Sequence, residues 1–87
     1  MTYKIEVSEI LDRIFSKLTK KDKFQFKILS KKIKEISEDP YKFKPLRGNM
    51  AGQRRVHIRH FVLTYEILEC DKVVRLLDYD HHDKIYK

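Results

Sequence analysis

The 87 residues include one cysteine, Cys70, so no disulfide can close within the chain. A reducing, cytoplasmic setting is expected on that ground. No apolar run approaches the roughly 20 residues that cross a bilayer, which excludes a spanning helix. The opening "MTYKIEVSEI" lacks the continuous apolar core of a secretion signal. Patterns such as C-x-x-C, H-E-x-x-H, G-x-S-x-G and the P-loop are missing. His57 and His60 sit three apart in an extended stretch and so point to opposite faces. A zinc site drawn from them and Cys70, His81 or His82 is therefore not expected, nor is any other cofactor. Glycine occurs only at Gly48 and Gly52. Acid is absent from Pro40 to Tyr65, a window that contains both glycines.

What the chain does have is positive charge, a net +7 with a pI near 9.6. The acid-free window carries Lys42, Lys44, Arg47, Arg54, Arg55 and Arg59. A field of this size and clustering points to a polyanion or an acidic protein as partner. Arginine forks pair bidentately with phosphate. Aromatic Tyr41, Phe43 and Phe61 stand close by in sequence, with Tyr79 and Tyr86 at the tail. Cations beside aromatic rings suit an unstacked single strand of nucleic acid. Hydrophobic residues make up 41%, enough for a packed core, and the length predicts one domain over 1–87.

The patterning predicts an α+β fold. "TYKIEV" alternates as a half-buried strand. Ser8 can cap a helix over residues 9–18, where Ile10, Leu11, Ile14, Phe15 and Leu18 recur at helical spacing. Thr19 with Asp22 resembles a capping box, which opens a second helix over 20–38, ended by Pro40. Residues 41–52 read as an irregular link. Three strands follow, with turns near His60 and at Glu69–Lys72. In the first of them Val56 and Ile58 face the core, while Arg55, His57 and Arg59 share the other face. The expected architecture is a helical hairpin packed on one face of a mostly antiparallel sheet.

No paired carboxylates form a recognisable catalytic motif. Any catalysis would have to come from basic and aromatic side chains. That suits cleavage of RNA by its own 2′-OH, which needs the phosphate oriented, added negative charge stabilised and protons moved. On the second helix Lys20, Lys23, Lys27, Lys31 and Lys34 form a separate stripe. It is either a solvated face or a docking surface for an acidic partner or nucleic acid.

The β-α-α-β-β-β order, "KPLRG", "RRVHIRHFVLTYEI" and the ending "DYDHHDKIYK" together resemble the RelE/ParE toxin superfamily, most closely its archaeal RelE branch. The resemblance implies a microbial-ribonuclease-like fold and a toxin of a type II toxin–antitoxin system. Its activity would be ribosome-dependent cutting of mRNA, silenced by a cognate antitoxin in a toxin–antitoxin hetero-oligomer, with no membrane partner. By the same resemblance the catalytic positions fall on Arg55, His57, His81, His82 and Tyr86. Lys42, Lys44, Arg47, Arg54 and Arg59 are the expected RNA-binding residues. The sequence departs from the family pattern at Val62 and at His82, where many relatives carry arginine. Both losses remove fixed positive charge. They keep open a ParE-like gyrase poison or a non-catalytic binding module as the alternative.

Overall fold

The computed structural model describes residues 2–45 and 52–81. Five strands form one sheet: β1 (Lys4–Val7), β2 (Lys44–Pro45), β3 (Gln53–Ile58), β4 (Phe61–Leu68) and β5 (Val73–His81). Two helices, α1 (Glu9–Lys21) and α2 (Lys23–Glu38), lie between β1 and β2. The strand order is β1-β5-β4-β3-β2. β3, β4 and β5 form an antiparallel meander, and β1 joins β5 in parallel. This is the expected α+β arrangement, with a two-residue strand added inside the link read as irregular.

The helix boundary moves from Thr19 to Asp22. Asp22 accepts a hydrogen bond from the Gln25 amide at 3.0 Å, which makes it the cap of α2. Thr19 instead lies within α1, where its hydroxyl donates to the Ser16 carbonyl at 2.6 Å. Ser8 caps α1 as expected, accepting from the Leu11 amide at 3.2 Å.

Leu11 and Phe15 of α1 and Leu29 and Ile36 of α2 pack on Val56, Ile58, Leu63, Tyr65, Val74, Leu76 and Tyr79 of the sheet. Both helices therefore cover one sheet face. A bulge controls what the far end of β5 presents to it. Thr64 pairs with Asp78 but Tyr65 pairs with Leu76, so Leu77 is an extra residue. After the bulge Tyr79 and His81 lie on the helix side, in line with Leu63 and Phe61, while Asp78 and Asp80 turn to the outer face. On that outer face Arg75 bridges Glu6 at 2.9 Å and Glu66 at 3.1 Å, which locks β1, β5 and β4 side by side.

A candidate RNA-binding cleft at the edge of the sheet

Strand geometry sorts the expected site residues. Val56 and Ile58 are buried against the helices, and Arg55 and His57 point to the other side of β3. Arg55 is part-buried and His57 exposed. Beyond Arg55, β2 no longer pairs with β3 among the described residues. A cleft of about 370 Å³ opens at this edge, lined by Lys32, Lys42, Phe43, Arg55, Val56 and His57.

Two anchors, buried Tyr65 and part-buried Arg54, place the residues that complete the cleft. The Tyr65 hydroxyl donates to the Pro40 carbonyl at 2.6 Å. Burial pushes that phenol up to about 12. Arg54, the cross-strand neighbour of Tyr65, donates to the Phe43 carbonyl at 2.7 Å and to the Tyr41 carbonyl at 3.4 Å. Its guanidinium also lies 5.0 Å from the Tyr41 ring centroid. Together they fix the Pro40–Phe43 segment, so that Lys42 and Phe43 meet Arg55 from across the edge.

Lys32 and Lys42 reach over the Phe43 ring at 5.7 and 5.8 Å. Glu35 holds both, accepting from Lys42 at 3.0 Å and pairing with Lys32 at 3.6 Å. The Lys42 hydrogen bond, foremost, keeps the Glu35 carboxyl below the usual carboxylate range. Three cations, Lys32, Lys42 and Arg55, thus line the cleft beside an aromatic ring, with Glu35 pairing the two lysines. Such a surface can orient a phosphate and offset charge that builds on it.

Of the expected residues, Arg55, His57 and Lys42 come together here. Arg54 lies one residue along β3 and so on the other face, where it braces the link. Arg59 leaves the strand: it sits in the β3–β4 turn at φ 60, with its guanidinium 5.6 Å from the Phe24 centroid. His81 is on the helix side, its ring tilted against Phe61 at 4.3 Å, and Phe61 stacks on Tyr79 at 5.0 Å. Hence neither Arg59 nor His81 shares a face with Arg55 and His57. Lys44 is backbone-paired to Arg55 in β2. Arg47, His82 and Tyr86 fall outside the described residues. Lys32 went unnoticed in the sequence because it lies off the lysine stripe, and only the packing of α2 against the link reveals it. Among the described residues no three His, Cys, Asp or Glu side chains gather as a metal site.

From residue 3 to residue 86 the sequence matches the family described as ParE toxin of type II toxin–antitoxin system, parDE. The chain belongs to this toxin family. A curated protein of Methanocaldococcus jannaschii, named "Putative toxin RelE4", is 44% identical over 98% of this chain and 92% of its own length. The fold also matches solved toxins of the RelE/ParE type. The archaeal RelE of a RelE–RelB complex from Pyrococcus horikoshii superposes with TM-score 0.73 at 18% identity, over 93% of this chain and 96% of that one. A free-state mutant of the E. coli toxin RelE gives TM-score 0.78 at 20% identity, over 97% and 87%. Val62, the position at which the family resemblance leads one to expect arginine, is fully buried, opposite His57 in the β3–β4 pairing.

Proposed function

We propose that this toxin-family chain is a ribosome-dependent mRNA endonuclease, acting in the cytoplasm and neutralised by a cognate antitoxin. The observation that carries this reading is the meeting of Arg55 and His57 with Lys32, Lys42 and Phe43 in one cleft. In the proposed reaction the 2′-OH of the RNA attacks the adjacent phosphorus and the bond to the 5′ oxygen breaks. The products are a 2′,3′-cyclic phosphate and a 5′-OH. Arg55 holds the phosphate and stabilises the extra negative charge of the transition state. His57 moves a proton, from the attacking hydroxyl or to the leaving oxygen. Lys32 and Lys42 draw in the strand and Phe43 supports a base. His82 and Tyr86 keep the roles that the family resemblance implies, with Tyr86 stacking on a base or sharing in proton transfer, whereas His81, against Phe61 on the helix side, is left out of the Arg55 cleft.

The test is to induce the chain in cells and map the 5′ ends of translated mRNA. New ends are expected with the unaltered chain and not with Arg55→Ala, while Arg55→Ala still binds the antitoxin. The uncharged, buried Val62, at a position where the family resemblance implies arginine, favours a second reading. A ParE-like gyrase poison would give no new mRNA ends and would block supercoiling by purified gyrase.

A further inference from the structure

The turn between β3 and β4 is built against local preference. Arg59 adopts φ 60, a left-handed conformation that hairpin turns ordinarily give to Gly, Asn or Asp. An arginine held there works against its own backbone. The conformation sets the guanidinium 5.6 Å from the Phe24 centroid. Phe24 is itself out of place for a large apolar ring, at 63% exposed near the start of α2. Beside this pair lies a second cavity of about 290 Å³, with Leu18, Lys21, Gln25, Arg59, His60 and Phe61 among its walls. Its one carboxylate, Asp22, is engaged as the cap of α2.

We infer that this cavity is a second subsite for single-stranded RNA, taking an unpaired nucleotide of the strand whose scissile phosphate lies in the Arg55 cleft. The inference rests on the RNA reading of that cleft. β3 ends at Ile58, one residue before Arg59. At about 3.3 Å per residue the backbone from Arg55 to Arg59 spans at most roughly 13 Å, so a strand that leaves the Arg55 face and passes around the β3–β4 turn to the helix side can engage both. Arg59 and Lys21 take phosphate, and the base lies against Phe24 beside a cation, the combination that single-strand binders use. An acidic peptide would be served by the cations alone and gives no reason for the exposed ring.

The experiment measures binding of a short, unstructured 2′-O-methyl RNA, which lacks the attacking hydroxyl, to the full chain over a series of salt concentrations. Arg59→Gly and Phe24→Ala are compared with Arg55→Ala and the unaltered chain. Each of the first two is expected to weaken binding at least about five-fold, the lower end for losing a stacked base. Arg59→Gly should also reduce the slope of log affinity against log salt by about 0.7, the value of one phosphate contact on a single strand. Because glycine favours this backbone, Arg59→Gly should fold with an unchanged or higher Tm. Unchanged affinity in both variants, with loss in Arg55→Ala, overturns the subsite and leaves the cleft reading standing. Loss in both, with Arg55→Ala unaffected, supports the subsite and counts against the cleft. Failure of the unaltered chain to bind this RNA, or displacement of acidic peptide alone from Arg59, overturns the subsite.

Discussion

Single side chains carry much of what shapes the cleft. The Tyr65 hydroxyl, buried and bonded to the Pro40 carbonyl, holds the link that brings Lys42 and Phe43 to Arg55. Its proton is bound more tightly in the folded chain than in the unfolded one, where a tyrosine titrates near 10. The stability this contributes is present below about 10 and is lost as pH rises toward about 12. Unfolding midpoints measured across that range should fall for the unaltered chain and fall less steeply for Tyr65→Phe. Gln25 is a second such residue. It is buried and donates to the Tyr79 hydroxyl at 2.7 Å and the Ile58 carbonyl at 3.3 Å. Gln25→Leu leaves those partners without their donor and should cost about 1–3 kcal/mol in urea denaturation. Neither role was legible in the sequence. A tyrosine on an alternating strand reads as core, and a glutamine in a helix reads as surface, until the long-range partner is known.

At the scale of elements, periodicity went far and local chemistry decided the rest. Alternation in "RRVHIRH" correctly separates Val56 and Ile58 from Arg55 and His57, because a strand with one buried face must alternate. It fails at Arg59, where the chain turns with positive φ and the period ends. It fails again in β5, where the bulge at Leu77 shifts the pattern and carries His81 to the helix side. An extra residue in one strand is defined only against its partner, so nothing local announces it. The border between the helices shows a competition of caps, since Thr19 and Asp22 both offer an oxygen. The carboxylate wins by accepting the Gln25 amide, and Thr19 bonds back into its own helix. Asp22→Ala should therefore destabilise the chain by about 1 kcal/mol, and Thr19→Ala by clearly less, as read from paired thermal melts.

For the whole molecule, the decisive property is how a net charge of +7 is distributed. Arg75 pairs with both Glu6 and Glu66 on the outer sheet face, and Glu69 binds Lys72 at 3.2 Å and the Tyr3 hydroxyl at 2.8 Å near the other edge. Lys20 of the expected stripe lies in α1; its α2 members Lys23, Lys27, Lys31 and Lys34, all exposed, have no ion-pair partner among the described residues. Positive charge thus remains along the β3 edge and α2. Binding to RNA should weaken steeply as salt rises, and Lys42→Ala should lower the slope by about 0.7 if its ammonium meets one phosphate. The central claim is that the Arg55 cleft handles the scissile phosphate. Its most direct test is the single-turnover rate of mRNA cleavage on purified ribosomes with the unaltered chain and with Arg55→Ala. The account predicts a drop of about a hundred-fold or more, the usual effect of removing one donor to transition-state charge. An equal rate in the two proteins would contradict it.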